Sequence, residues 1–157
     1  MREARASFFE DFALGDVVES STVTITEAHV VGWANLTGDW HPLHMDAVYA
    51  REEGPFGERV AHGPFVFAIS VGLVERANIL GRSVVAWLGT DELRATKPVL
   101  IGDTLRVRVT VLETRLSRST PSRGIVGLRY ETLNQRDETV MACRYNVMIR
   151  TRSEATS

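Results

Sequence analysis

The sequence lacks several features that mark particular classes of protein. It has one cysteine, Cys143, in 157 residues, which excludes an internal disulfide framework and a multi-cysteine metal site. No run approaches 18 apolar residues, so a transmembrane helix is not expected. The charged start, Met1-Arg-Glu-Ala-Arg5, has no apolar stretch of the kind a secretory signal needs. We therefore expect a cytoplasmic protein with no membrane partner.

Lysine is scarce, and neither sign of charge is in large excess. Eighteen basic and 20 acidic residues give a formal net charge of −2, which is not the footprint of a nucleic-acid-binding protein. Lys97 is the only lysine, so the other 17 basic residues (18 − 1) are arginines. Arginine suits bidentate phosphate contacts, but codon bias in a GC-rich genome explains the same excess. No nucleic-acid partner is expected.

The length and composition predict a single domain over residues 1–157. Hydrophobic residues make up 44% of the chain and charged residues 24%, which is ordinary globular composition and enough to bury a core. We place the core at about residues 8–150. Residues 151–157 are polar, and we expect this C-terminal tail to fray.

Apolar residues alternate with polar ones through most of the C-terminal half, which predicts antiparallel strands with one buried face. These strands cover residues 105–111, 126–131 and 141–149, and a fourth predicted strand, 83–94, precedes them. A further strand is predicted at 17–26. A Gly-Asp pair precedes a predicted strand twice, at Gly15-Asp16 and at Gly102-Asp103. Both residue types favour tight turns, so a turn is predicted at each pair.

Two segments have helical patterns. Residues 27–36 suit an amphipathic helix capped by Thr26. Residues 64–80 are apolar almost all round until Glu75, which predicts a fully buried helix. Pro64 fits its first position and Gly81 its end. One buried helix and about five antiparallel strands predict an α+β fold in which a curved sheet surrounds the helix.

Three of the four histidines lie in two short segments, Gly38-Asp-Trp-His-Pro-Leu-His44 and Ala61-His-Gly63. Asp39 and His44 share one pocket only if the chain between them is bent, and Gly38 and Pro42 favour such a bend. A carboxylate and an imidazole that share a water transfer protons near neutral pH. The alternative, equally open from spacing alone, is that both side chains cap turns and helices.

The start of the buried helix is a candidate oxyanion site. The first N–H groups of a helix have no intrahelical partner, and Gly63 allows close approach of a ligand. A simple N-cap is the alternative. Zinc binding by His41, His44 and His62 with Asp39 is disfavoured, because His41-x-x-His44 lacks the spacing that a helix uses and Pro42 opposes a helix interior. We predict no metal site.

These motifs resemble the MaoC-like, or R-specific enoyl-CoA hydratase, family. The hydratase motif of that family reads Gly-Asp-x-Asn-Pro-aliphatic-His, with Ala-His-Gly downstream. The resemblance covers roughly residues 8–150 and includes these further matches: Asp46, Tyr49-Ala50, Lys97-Pro98-Val99 and Gly102-Asp103. It implies a hotdog fold, with an antiparallel sheet wrapped around a long central helix, and a homodimer or higher homo-oligomer.

The resemblance also implies an activity and a site. The family's catalytic residues fall on Asp39 and His44, and its backbone oxyanion donor falls on Gly63. His62 and His41 complete the predicted oxyanion and substrate-binding set, although His41 stands where the family has asparagine. The implied reaction is hydration of a trans-2-enoyl thioester on coenzyme A or acyl carrier protein, with no cofactor. A thioesterase and a non-catalytic acyl-thioester-binding subunit are the alternatives.

Overall fold

The structure is a computed structural model and describes residues 8–155. A short 3-10 turn, Phe9–Asp11, precedes the regular elements. The helices are α1 (Glu27–Thr37), α2 (Pro42–Met45), α3 (Ala47–Glu52), α4 (Gly63–Arg76) and α5 (Arg152–Ala155). The strands are β1 (Val17–Glu19), β2 (Val23–Thr24), β3 (Val84–Ala95), β4 (Thr104–Leu116), β5 (Arg123–Leu133) and β6 (Thr139–Arg150).

The strands form an antiparallel sheet with the order β1-β4-β5-β6-β3, and β2 also pairs with β4. Alternate residues of β4, β5 and β6 are buried, as the alternation in the sequence predicts. Helix α4 packs against this inner face, where the Ser70 and Thr132 hydroxyls lie 2.8 Å apart and connect α4 to β5. The α+β architecture is therefore confirmed.

The predicted strand at residues 17–26 is wrong as a single element, because it is divided into β1 and β2. Ser20 lies between the two and causes the break. Its main-chain N–H donates to the Val107 carbonyl, but the Val107 N–H donates to the Ser20 hydroxyl (2.9 Å). A side-chain oxygen thus replaces the main-chain carbonyl that would continue the ladder.

The two Gly-Asp turns have the same local structure. Gly15 and Gly102 both adopt left-handed conformations, with φ of 85° and 101°, which glycine accepts without strain. The carboxylates of Asp16 and Asp103 each accept a hydrogen bond from the N–H three residues earlier, at 3.3 and 2.8 Å. The recurrence in the sequence is therefore a repeated turn.

Helix α1 agrees with the sequence prediction, with Thr26 at its N-cap. Helix α4 ends four residues earlier than predicted, because Asn78 takes the left-handed stop (φ 52°) before Gly81 is reached. The Asn78 N–H donates to the Glu75 carbonyl and the Ile79 N–H to the Val74 carbonyl. These two bonds form a Schellman motif, which ends a helix.

The prediction that α4 is buried on every side is also wrong for this chain by itself. One face is buried, comprising Phe65, Val66, Ser70, Leu73 and Val74. The opposite face is apolar but only half-buried at Phe67 and Val71 and exposed at Ala68. A helix that is apolar all round needs a second surface to cover this face.

The start of the predicted C-terminal tail packs on the domain. Thr151 is buried, and its hydroxyl donates to the Ser122 carbonyl (2.8 Å), after which α5 follows. Residues 156–157 lie outside the described residues, so the fraying expected there stays a prediction. Among the described residues, no helix has the length and apolar character to cross a membrane.

Candidate active site

The segment that carries Asp39 and His44 is bent at both positions the sequence indicates. Helix α1 ends at Gly38, which is left-handed (φ 79°). Pro42 then begins the single turn of α2, as its fixed φ favours. His44 lies on this turn, whereas Asp39 lies in the irregular stretch before it, where the Trp40 N–H donates to the Gly38 carbonyl (3.1 Å). The bend brings the two side chains to the same place although they are five residues apart.

His41 caps α2. Its Nδ1 atom accepts a hydrogen bond from the Leu43 N–H (3.2 Å), which satisfies one of the free donors at the start of a helix. Asparagine offers an oxygen at the same position along its side chain and makes the same kind of bond. His41 thus supplies locally what the asparagine of the family motif would supply.

His44 has one ring nitrogen bound to the main chain. Its Nδ1–H donates to the Val60 carbonyl (2.7 Å), so in the neutral ring Nε2 carries the lone pair. Partial burial lowers the pKa of His44 below its ordinary value, and His62 and His41 lower it further, against the opposite effect of Asp39 and the Val60 bond. The ring is therefore suited to accept a proton near neutral pH.

His62 contacts both Asp39 and His44 from the buried side of the site. It has no exposed surface, its Nε2–H donates to the Asp39 carbonyl (2.9 Å), and its ring stacks on His44 with centroids 3.9 Å apart. A carboxylate oxygen of Asp39 and ring nitrogens of both histidines lie within 4.8 Å of one another. One water bridges two groups at this separation, through hydrogen bonds of about 2.8 Å.

Gly63 begins α4 beside a cleft of about 310 Å³. The N–H of a residue at this position has no intrahelical acceptor, and a Cβ added to Gly63 would have nothing within 4 Å. The cleft is lined mainly by apolar side chains and includes His44, Phe56, Val60, Ala61, Gly63, Val66, Ala95, Thr96, Lys97, Pro98, Val99, Val140 and Met141.

The structure thus divides the predicted site residues into three groups. His44 and Gly63 line the cleft, and Asp39 is an exposed neighbour of His44. His41 is exposed, lies outside the cleft lining and caps α2. His62, predicted to contact the oxyanion or the substrate, has no surface with which to do so.

Sequence reasoning missed two parts of the site. The Val60 carbonyl orients His44 but carries no side-chain signal. Much of the cleft wall comes from residues 95–99 and 140–141, which only the fold places near His44. The single local indication was Lys97-Pro98-Val99, a match to the family pattern.

The Asp39, His44 and His62 cluster has the residue types of a metal site but not the orientation. The rings of His44 and His62 are stacked, with only 29° between their planes. The lone pair of an imidazole lies in its ring plane, so stacked rings do not aim two lone pairs at one ion about 2 Å from each.

Comparison with known proteins identifies the family. The model of the MaoC-like domain matches residues 11–132. A 3-hydroxybutyryl-CoA dehydratase of Methylorubrum extorquens is 36% identical over 111 residues, which cover 71% of this chain and 68% of that protein. The chain belongs to the MaoC-like dehydratase family, whose relatives found here carry the names of hydratases and dehydratases.

Solved structures agree with the fold. The MaoC-like dehydratase of Rhodospirillum rubrum is 34% identical, with a TM-score of 0.84 over 92% of this chain and 97% of that one. A Mycobacterium tuberculosis protein with a double hotdog fold matches at a TM-score of 0.83 and 22% identity, over 96% of this chain and 46% of that one. The predicted hotdog fold is confirmed. Some curated relatives are longer, and the chain spans 30% of one and 42% of another.

Proposed function

We propose that this protein catalyses the reversible hydration of a trans-2-enoyl thioester, carried on coenzyme A or acyl carrier protein, to a 3-hydroxyacyl thioester. One observation carries the proposal. The Nδ1–H of His44 is bound to the Val60 carbonyl, which leaves Nε2 as a proton acceptor. The His44 ring lines the same cleft as Gly63 and has a nitrogen within 4.8 Å of an Asp39 carboxylate oxygen.

In the hydration direction, His44 and Asp39 hold one water above C3 of the substrate. His44 Nε2 accepts a proton from this water, and the hydroxide forms a bond to C3. Electron density moves to the thioester oxygen as the double bond is lost. The proton held by the pair is then delivered to C2 from the same face, which regenerates neutral His44. The Asp39 carboxylate stabilises the imidazolium that exists between the two steps.

The Gly63 N–H is the proposed donor to the thioester oxygen. It lies at the positive end of the α4 dipole, and removal of one such donor typically costs about 3 kcal/mol of transition-state stabilisation. The proposed steps need no metal or redox group, so we expect the activity to survive treatment with a chelator.

The test measures hydration of crotonyl-CoA and longer enoyl-CoA thioesters, which is monitored as the loss of absorbance of the conjugated double bond. Asp39→Asn keeps the size of the side chain but removes its charge, and we expect a loss toward the upper end of about 100- to 10,000-fold. His44→Ala should lose as much, and the double variant little more, because the pair acts as a unit. Asp46→Asn is the matched control, since Asp46 only caps α3.

The pH profile tests the role of His44 separately. His44 must be neutral to accept the proton, and its pKa in the folded protein lies below the ordinary value. The rate should therefore stay high as pH falls to about 6.5, the ordinary histidine value, and decline only below it.

Other outcomes would contradict the proposal. If folded Asp39→Asn hydrates within threefold of the unchanged protein, the Asp39–His44 mechanism is wrong. Release of free thiol without hydration would identify a thioesterase. Saturable binding of enoyl-CoA without either reaction would identify a binding subunit.

We also propose that the protein is a homodimer. The β3 edge of the sheet is unpaired among the described residues, and its Trp87, Leu88 and Leu93 are 57%, 46% and 40% exposed. Trp87 stacks on Tyr145, which also contacts Phe67 on the half-buried face of α4. Trp87 at the edge and Phe67 on the helix thus belong to one apolar surface, which a second copy would cover, whereas Leu88 lies on the opposite face of the sheet beside Arg144 and Asn146.

A further inference from the structure

His62 occupies an unusual position, because it contacts both members of the proposed acid–base pair. It donates from Nε2 to the Asp39 carbonyl across 23 positions of sequence and stacks on the His44 ring. It also directly precedes Gly63, the proposed oxyanion donor, in the sequence. The side chain itself is fully buried, so it does not reach a substrate in the cleft.

The Asp39 end of the segment has little else to hold it in place. The other described hydrogen bonds of Asp39 and Trp40 connect them to Thr37, Gly38 and His41, all within two positions in the chain. The His44 end, in contrast, is held twice by Val60, through the His44 ring and through the Leu43 carbonyl. The His62 bond is therefore what connects Asp39 to the start of α4.

Resting on the hydratase function proposed above, we infer that His62 is a positioning residue, which fixes the Asp39–His44 pair relative to the Gly63 N–H through its bond to the Asp39 carbonyl. Hydration needs the water on C3 and the donor on the thioester oxygen at a set separation. Misplacement of reacting groups by about 1 Å costs on the order of 100-fold in rate.

The two ring nitrogens of His62 have different environments, which makes the inference testable. Nε2 has its acceptor, whereas Nδ1 is buried with no hydrogen-bond partner among the described residues. Only the donor at Nε2 is thus required. Glutamine places an amide N–H at about the distance of Nε2, asparagine ends one atom short of it, and phenylalanine keeps a stacking ring without any donor.

The experiment compares His62→Gln, His62→Asn and His62→Phe in hydration kinetics, with thermal unfolding to identify folded variants. We expect His62→Gln to retain kcat within about tenfold. His62→Asn and His62→Phe should lose about 100-fold in kcat while KM changes less than threefold, because the cleft lining is intact. His29→Gln is the matched control at the histidine outside the site, with rates within twofold of the unchanged protein.

A second measurement does not depend on turnover. We would follow the titration of the His44 ring by NMR in the unchanged protein and in His62→Gln. Burial is the main cause that lowers the pKa of His44; His62 and His41 lower it further, while the Val60 bond and Asp39 raise it. Loss of the neighbouring imidazole should therefore raise the pKa of His44, and an unchanged titration would contradict the stacking contact.

Each result decides the inference. Folded His62→Asn or His62→Phe with a rate within threefold of the unchanged protein would overturn it. So would a folded His62→Gln as impaired as His62→Phe, or a failure of His62→Gln to fold, which would make the role purely structural. If only His62→Phe fails to fold, the inference is decided by the hydration rates of His62→Gln and His62→Asn. Absence of hydration by the unchanged protein would instead overturn the proposed function.

Discussion

At the scale of single residues, His41 shows how one side chain replaces another in a capping role. The family motif has asparagine here, and the His41 Nδ1 makes the bond to the Leu43 N–H that caps α2. Its ring also meets His44 edge-on, with centroids 6.1 Å apart. The substitution thus preserves the turn that carries His44, while the larger ring fills more space beside the site and contributes to the lowered pKa of His44.

The exchange His41→Asn should accordingly have little effect on the fold and on activity. Asparagine is among the preferred N-cap residues, so we expect α2 to persist and hydration of crotonyl-CoA to stay within about tenfold, roughly 1.4 kcal/mol of barrier. His41→Ala removes the cap and should cost about 1 kcal/mol of unfolding free energy, measured by denaturant titration. If His41→Asn loses as much activity as Asp39→Asn, His41 is a reacting group.

At the scale of elements, the N-terminus of helix α4 brings two parts of the proposed site together. Its first residue, Gly63, lines the cleft, and His62 immediately before it contacts Asp39 and His44, the proposed acid–base pair. The helix then packs through Val66 and Leu73 in the core and through Phe65 against Trp33 of α1. Because the packed face holds the helix in place, the direction of the Gly63 N–H is set by the core.

A methyl group at Gly63 should separate activity from stability. The added Cβ has free space, and the backbone of Gly63 is not left-handed, so an alanine causes no strain there. Gly63→Ala should therefore fold with a free energy of unfolding that is unchanged or raised by about 0.5 kcal/mol. The methyl group would occupy the cleft beside the proposed oxyanion donor, and we expect at least a tenfold loss in kcat/KM. Gly32→Ala on α1, which also has open space, is the control that should leave the rate unchanged. Equal rates for both variants would exclude close approach of substrate to Gly63.

At the scale of the whole molecule, the apolar surfaces left uncovered indicate assembly. The β3 edge and the half-buried face of α4 meet at the stack of Trp87 and Tyr145. The edge at the other end of the sheet consists of two short strands, β1 with three residues and β2 with two. Short edges resist further pairing, so the long edge is the one expected to pair.

Light scattering should give twice the chain mass of 17.5 kDa at micromolar concentration. Trp87→Arg adds a charge to the proposed interface and should give monomers, whereas Leu14→Arg, at a residue 70% exposed near the opposite edge, should remain dimeric. A monomeric unchanged protein, or a dimeric Trp87→Arg variant that remains folded, would contradict the proposed interface.

The sequence alone determined those features that depend on near neighbours. Alternation placed the strands β4 to β6, since side chains of a strand point to its two faces in turn. Thr26 marked the start of α1, and Gly38 and Pro42 indicated the bend that brings Asp39 and His44 together. The motif around them was sufficient to indicate the family.

Only the tertiary structure decided what depends on distant parts of the chain. Ser20 divides a strand because Val107, 87 positions away, lies opposite it. The lone pair of His44 is directed by the Val60 carbonyl, and Asp39 is held by a histidine 23 positions away. Side-chain orientation follows from such contacts, and sequence spacing carries no information on them once the chain has folded back on itself.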